Sequence, residues 1–137
     1  MSQENIAAVR RGYEMVAAGD IEGLTDTFAP EAEVTESGGI GGTGSATGTR
    51  YGFEGFLRGW ADAQETFDDF RVVPEDFIEA GDAVVVPAHI SGRGKSSGVE
   101  LDTRVAHLWV FQDGKIIRGD VFPTVEDALE AARRHAE

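Results

Sequence analysis

The sequence predicts an α+β fold in which helices come first and antiparallel strands follow. Apolar residues recur with helical spacing through most of the first half, whereas the second half alternates apolar and polar residues between turn signals. The chain has 137 residues, the length of one ordinary domain. We therefore expect a single domain, residues 1–137, with its helices packed on one face of the sheet.

The first half contains three segments with the pattern of an amphipathic helix. The first ends at Gly19, a residue typical of helix C-termini, and Asp20 can cap the short helix that follows. The helices are predicted over residues 3–18, 21–28 and 53–67. Residues 31–36 predict a short strand, and the glycine-rich residues 37–49 (SGGIGGTGSATGT) predict a loop, either a flexible lid or a disordered segment.

Four strands and a closing helix are predicted in the second half. Asp113-Gly114 is a strong hairpin signal, because both residues accept the positive φ angles of a tight turn. Pro74 interrupts the first strand, and Pro87 indicates an edge or a bulge in the second. The segment from Thr124 to Asp127 resembles a capping box that opens a helix through Ala136. The strands are predicted over residues 70–79, 83–91, 99–111 and 115–122.

The long strand over residues 99–111 has apolar residues on both faces toward its C-terminal end. One face carries Leu101, Thr103, Val105, His107, Trp109 and Phe111, and the other carries Asp102, Arg104, Ala106, Leu108 and Val110. The helices are expected to cover only one face, and a large exposed apolar patch is uncommon on a monomer. A homodimer is therefore the simplest prediction for the other face.

The charge of the chain argues against several classes of partner. Its 12 Lys and Arg against 25 Asp and Glu give a net charge of −13, which disfavours nucleic acid and anionic membrane surfaces. Without cysteine the chain has no thiol nucleophile, disulfide or cysteine-ligated zinc. No apolar run is long enough to span a bilayer, and Met1 to Asn5 does not begin a secretory signal. We expect a cytoplasmic protein that binds a small apolar molecule or another protein.

Several segments together resemble the SnoaL-like branch of the nuclear transport factor 2-like superfamily, which includes ketosteroid isomerase and polyketide cyclases. They are AAGDIEGLTDTFAPEAEV, RYGFEGFLRGW, AGDAVVV, GRGKSSGVELDTRVAHLWVFQDGKIIRG and EDALEAA, in an order that spans nearly the whole chain. The resemblance implies a cone-shaped fold, in which a curved sheet wraps around N-terminal helices and leaves a pocket, with the outer sheet face as the dimer contact. It does not imply one activity, because this fold carries many.

Ketosteroid isomerase moves a proton with a carboxylate base while a tyrosine and an uncharged aspartic acid stabilise the enolate. Aligned without gaps on nearby glycines, the resemblance implies the base at Glu36 and the oxyanion tyrosine at Gly12, one residue before Tyr13. It implies the uncharged acid at Ala106, which has no carboxyl group. Only the base is matched by residue type.

Three ionisable residues are the predicted catalytic groups. Glu36 is the predicted general base. Asp102 and Arg104 lie two apart on one strand and therefore share a face. The resemblance places that face toward the pocket, where the pair can orient an oxygen of the ligand. The alternative interpretation is a solvated glutamate and a surface ion pair.

The predicted pocket wall is mostly aromatic or small and apolar. It comprises Tyr13, Phe28, Phe56, Trp60, Val86, Ala88, Ala106 and Leu108. His107 and Asp120 are second-rank candidates, because strand parity points both to the outer face of the sheet. His89 and His107 are expected to share that face, but no third ligand has metal-binding spacing with them, so no metal or cofactor is expected.

Three functions remain open at this point. The first is cofactor-independent acid–base isomerisation or cyclisation of an apolar carbonyl or polycyclic substrate. The second is non-catalytic binding of an apolar metabolite, and the third is a protein-interaction domain whose cone is filled by side chains. The discriminating observation is whether Glu36, Asp102 and Arg104 converge on one cavity.

Overall fold

The structure is a computed structural model, and it describes residues 2–35 and 49–136. The helices are α1 (Ser2–Ala18), a 3-10 helix (Glu22–Thr27), α2 (Gly52–Thr66) and α3 (Val125–Ala136). The strands are β1 (Phe28–Thr35), β2 (Thr49–Tyr51), β3 (Phe67–Pro74), β4 (Ile78–Ala80), β5 (Ala83–Gly94), β6 (Glu100–Gln112) and β7 (Lys115–Phe122). The predicted glycine-rich loop falls, except for Thr49, outside the described residues.

The seven strands form one curved, unclosed sheet with the order β2-β1-β7-β6-β5-β3, and β4 pairs with β5 beyond the end of β3. The predicted α+β class is confirmed. Neighbouring strands are antiparallel except β1 and β7, which run parallel. This pairing differs from the expected antiparallel strands, because β1, which follows the N-terminal helices, lies beside the last strand β7.

Three local signals in the sequence are confirmed by the backbone. Gly19 has a φ of 81°, and the amides of Gly19 and Asp20 donate to the carbonyls of Val16 and Met15 at 3.1 and 2.8 Å, which closes the last turn of α1. Asp113 and Gly114 have φ angles of 52° and 79° and join β6 to β7 in a two-residue hairpin. The hydroxyl of Thr124 accepts the amide of Asp127 at 3.1 Å and caps α3.

The strand predicted over residues 70–79 is two strands, and the short predicted helix is a 3-10 helix that ends before Phe28. The break between β3 and β4 has a physical reason in β5. The amide of Glu75 donates to the carbonyl of Pro87 at 2.8 Å. The backbone N and O atoms of a strand residue point toward the same neighbouring strand. Proline has no N–H, so at the gap between β3 and β4 Pro87 accepts one hydrogen bond and cannot donate a second.

We call the face of the sheet that α1 and α2 cover the inner face. On β5 it carries four buried side chains, Val84, Val86, Ala88 and Ile90, which pack with residues of both helices. The register pairs Val86 with His107 and Val84 with Trp109, so these two β6 residues also lie on the inner face.

The opposite, outer face is covered in part by α3. Ala128 and Ala132 of α3 pack with Ala106, Leu108 and Val110 of β6. The helix therefore buries the second apolar side of the long strand, the side for which the sequence predicts a homodimer partner. Within the described residues, no helix is both long and apolar enough to cross a membrane.

Truncation of Leu108 tests this arrangement. Its side chain is fully buried between β6 and α3, so Leu108→Ala should lower the free energy of unfolding by about 2–5 kcal/mol. Val99→Ala, an apolar truncation at a residue that is 66% exposed, should change it by less than about 0.5 kcal/mol. Urea denaturation measures both, and a cost below about 1 kcal/mol for Leu108→Ala would contradict a buried outer face.

Candidate functional site

A cavity of about 140 Å³ lies between the inner face of the sheet and helices α1 and α2. Most of its wall is apolar and much of it aromatic, with rings contributed by both helices and by three strands. The aromatic side chains in the wall are Tyr13, Phe28, Phe56, Trp60, Phe70, His107 and Trp109. Such a wall favours a ligand that is itself largely apolar.

Three of the polar side chains in this wall form a hydrogen-bonded chain. The indole Nε1 of Trp109 donates to the Tyr13 hydroxyl at 3.1 Å. That hydroxyl lies 2.5 Å from Nδ1 of His107, and the two rings are stacked with centroids 5.9 Å apart. His107 and Trp109 are two apart on β6, so both reach the inner face beside α1, which carries Tyr13. The chain links the first helix to the sixth strand.

The donors and acceptors in this chain leave one choice open. An indole N–H can only donate, so the Tyr13 oxygen accepts from Trp109. The contact to Nδ1 of His107 forms in either imidazole tautomer, with the hydroxyl donating to a bare Nδ1 or with Nδ1–H donating to the hydroxyl oxygen. Among the described residues none hydrogen-bonds to Nε2 of His107. Each tautomer therefore leaves a group able to bond a ligand.

Burial keeps both members of the pair uncharged near neutral pH. Desolvation lowers the pKa of His107 from 6.5 to about 4. Desolvation also raises the pKa of the Tyr13 hydroxyl well above its ordinary value, and the hydrogen bond from Trp109 offsets part of that rise. The site thus presents a neutral imidazole and a neutral phenol.

Four of the eight residues predicted for the pocket wall line the cavity. They are Tyr13, Phe28, Phe56 and Trp60. Val86 and Ala88 lie on the inner face but are completely buried beneath the helices. Ala106 and Leu108 lie on the outer face against α3, which corrects the face assigned to them.

Asp102 and Arg104 share a face, as predicted, but it is the outer face, and their side chains are 73% and 67% exposed. They do not pair with each other. Asp102 Oδ1 lies 2.5 Å from Nε2 of His89, and Arg104 Nε donates to Glu75 at 3.0 and 3.2 Å. Exposed ion pairs of this kind contribute little to the free energy of folding, and none of these residues lines the cavity.

His89 and His107 were expected to share a face, and the register corrects this. His89 pairs with Arg104 on the outer face, whereas His107 pairs with Val86 on the inner face. Among residues 2–35 and 49–136, no three His, Cys, Asp or Glu residues are placed to hold a metal ion.

Asp120 is buried, with 4% of its surface exposed, and it borders the cavity. The register pairs it with the outer-face residue Leu108, whereas His107 pairs with Val121, so the two do not share a face as expected. Asp120 nevertheless borders the cavity, which corrects the expectation that it points away from the pocket. Its carboxylate accepts the amide of Val121 at 2.8 Å and faces Nη2 of Arg118 at 3.4 Å. Glu36, the predicted base, lies outside the described residues.

His107 and Trp109 were missed as leading site residues because their strand is apolar on both faces. The available signal was the need of Tyr13 for a polar partner, together with two ring nitrogens on one face of β6. The resemblance implies the oxyanion groups at Gly12 and Ala106. Gly12 directly precedes Tyr13, and Ala106 directly precedes His107. A shift of one residue in each alignment brings both onto Tyr13 and His107.

A family model described as a SnoaL-like domain matches residues 9–119. The chain belongs to the SnoaL-like family. It is 28% identical to TerC, whose crystal structure was determined with polyporic acid, over 95% of this chain and 98% of TerC, with a TM-score of 0.73. The comparison with curated proteins found no match.

Two further solved structures share the fold. An NTF2-like protein of unknown function from Burkholderia pseudomallei is 23% identical over 95% of this chain and 97% of its own, with a TM-score of 0.76. A candidate SnoaL-like polyketide cyclase from Jannaschia sp. CCS1 is 22% identical over 96% of this chain and 92% of its own, with a TM-score of 0.74. Both confirm the expected NTF2-like cone.

The buried imidazole makes a prediction about pH. Because its pKa is lowered to about 4 in the folded state, the unfolded chain binds the proton first as the pH falls below 6.5. The contribution of His107 to the free energy of unfolding is therefore full above about pH 6.5 and is lost as the pH falls from 6.5 to 4. From pH 7 to 4.5 the wild type should lose about 2 kcal/mol more than His107→Gln in urea denaturation.

The control is Val99→Ala, at an exposed residue without a titratable group, which should keep the full pH dependence of the wild type. Equal losses in the wild type and His107→Gln would contradict a buried neutral imidazole.

Proposed function

We propose that this chain binds a small, largely apolar molecule with one uncharged oxygen in the cavity, and acts on it by acid–base chemistry without a cofactor. The observation that carries the proposal is the hydrogen-bonded chain of Trp109, Tyr13 and His107 in a mostly apolar wall. Polar groups in such a wall are costly to bury. A cavity with no ligand to recognise would be more stable with Phe or Leu at these positions.

The size of the cavity supports a ligand with a single ring. An engineered apolar cavity of about 150 Å³ accommodates benzene. The cavity of about 140 Å³ is similar in volume, which supports an apolar carbonyl ligand with one ring over the polycyclic alternative.

The charge of the site supports an uncharged ligand oxygen. No Lys or Arg of the described chain lines the cavity, and the net charge of the protein is −13. A carboxylate or phosphate would be buried here without a counter-ion, at a large desolvation cost. A carbonyl oxygen needs only a hydrogen-bond donor.

The proposed chemistry uses the tautomer in which Nδ1–H of His107 donates to the Tyr13 oxygen. Tyr13 then accepts twice and donates its own proton to the carbonyl oxygen of the ligand. The lone pair on Nε2 of His107 takes the proton from the carbon beside the carbonyl, and the Tyr13 hydroxyl stabilises the enolate that forms. Return of the proton from Nε2 to carbon regenerates the neutral imidazole.

The family context supports this assignment. Ketosteroid isomerase, in the same superfamily, stabilises an enolate with a tyrosine and a second donor. TerC has been crystallised with an organic ligand, polyporic acid. Glu36 is retained in the proposal as an alternative base, since the resemblance implies a carboxylate there.

The second candidate is a non-catalytic binding module for an apolar metabolite. The observation that favours it is the lowered pKa of His107, because an imidazole with a pKa of about 4 is a weak base. A protein-interaction domain with a filled cone is less well supported, because the cavity between sheet and helices is not filled by side chains of the described residues.

We also retain the homodimer and the cytoplasmic location as proposals. The part of the outer face that α3 leaves uncovered is charged, with exposed ion pairs at Asp102 and Arg104 rather than an apolar patch. A dimer across it would be polar and salt-sensitive, and sedimentation equilibrium at low and high salt measures it.

Deuterium exchange tests the proposed chemistry. In D₂O, the wild type should accelerate incorporation of deuterium beside the carbonyl of cyclohexanone, measured by NMR against buffer alone. Tyr13→Phe should lower the accelerated rate by about 100-fold, because it removes the donor to the developing oxyanion. His107→Gln should abolish the acceleration if His107 is the base, and Glu36→Gln if Glu36 is.

His89→Gln is the matched control, since it makes the same substitution on the outer face and should leave the rate unchanged. Binding of cyclohexanone without exchange contradicts the acid–base half of the proposal and leaves the binding module. Failure of the wild type to bind single-ring ketones contradicts the proposal as a whole.

A further inference from the structure

The indole ring of Trp109 lies directly over Gly119, its neighbour on β7. The two residues are paired in the β6–β7 register, and both line the cavity. A Cβ at position 119 would lie 2.6 Å from Cζ3 and 3.0 Å from Cε3 of the indole. Carbon atoms in contact are about 3.5–4.0 Å apart, so no side chain fits at this position unless the ring moves.

The indole ring contacts three other side chains of the site. Phe28 meets it edge-on with centroids 6.3 Å apart, and His107 meets it at 5.9 Å. On its nitrogen edge it is held by the 3.1 Å hydrogen bond to Tyr13. Relieving a contact of 2.6 Å requires a displacement of about 1 Å, which is enough to break a hydrogen bond of this length.

We infer that Gly119 is a positioning residue of the site, which holds the indole of Trp109 so that Nε1 donates to Tyr13. Because Gly119 has no side chain, Trp109 on β6 can keep its hydrogen bond to Tyr13 on α1. The positioning itself follows from the contacts, and its consequence for the reaction rests on the proposed function.

The backbone does not otherwise require glycine here. Gly119 is not among the glycines with a positive φ angle, so alanine can adopt its conformation. The cost of a Gly119→Ala substitution therefore arises from the indole contact. Removing the indole should remove the cost.

The experiment follows the indole N–H signal of Trp109 by NMR in Gly119→Ala. We expect its hydrogen exchange to quicken at least tenfold, and cyclohexanone exchange to slow at least fivefold, because the hydrogen bond to Tyr13 is lost. The control is Gly94→Ala, a strand glycine whose added Cβ would meet the exposed Ser97 hydroxyl at 2.6 Å and the Val99 carbonyl oxygen at 3.6 Å, an ordinary contact distance. Its indole signal and its exchange rate should match the wild type.

An unchanged indole signal in Gly119→Ala overturns the inference. If the indole signal moves while cyclohexanone exchange stays at the wild-type rate, the positioning holds and the proposed function fails. If Gly119→Ala does not fold, the double variant Trp109→Leu/Gly119→Ala decides. The double variant should fold as stably as Trp109→Leu alone. If Gly119→Ala lowers the free energy of unfolding equally in the wild type and in Trp109→Leu, the inference is overturned.

Discussion

The contact on which the site depends is the hydrogen bond between Tyr13 on the first helix and His107 on the sixth strand. It joins residues 94 positions apart and places two polar rings, with Trp109 as a third, in the wall of an apolar cavity. In a low-dielectric setting each of these groups must be partnered, and the three partner one another. Within the described residues, Nε2 of His107 is left for a ligand, together with the Tyr13 hydroxyl proton in the tautomer that carries Nδ1–H.

The architecture explains why the hollow lies where it does. Helices α1 and α2 cover the inner face but leave about 140 Å³ unfilled, while α3 packs closely on the outer face through alanine side chains. The same strand, β6, thus contributes core packing through Leu108 and site chemistry through His107. Because successive side chains of a strand point to opposite faces, one face of β6 contributes to the core and the other to the site.

Much of the fold could be predicted from the sequence, because its signals are local. The hairpin at Asp113-Gly114 and the helix stop at Gly19 depend on backbone preferences of a few residues, and both are confirmed. Which side of β6 faces the helices is not a local property. Periodicity groups Ala106 with Leu108 and His107 with Trp109, but only packing against α3 decides which pair is inside. For this reason the prediction that Asp102 and Arg104 face the pocket is wrong.

The most direct measurement is the affinity of the protein for a ketone and for its hydrocarbon analogue. Isothermal titration with cyclohexanone and methylenecyclohexane, on the wild type and on Tyr13→Phe, isolates the hydrogen bond to the ligand oxygen. We predict that Tyr13→Phe lowers the preference for the ketone by about 1 kcal/mol or more, while the affinity for the hydrocarbon is kept. An identical preference in the two proteins would contradict the account.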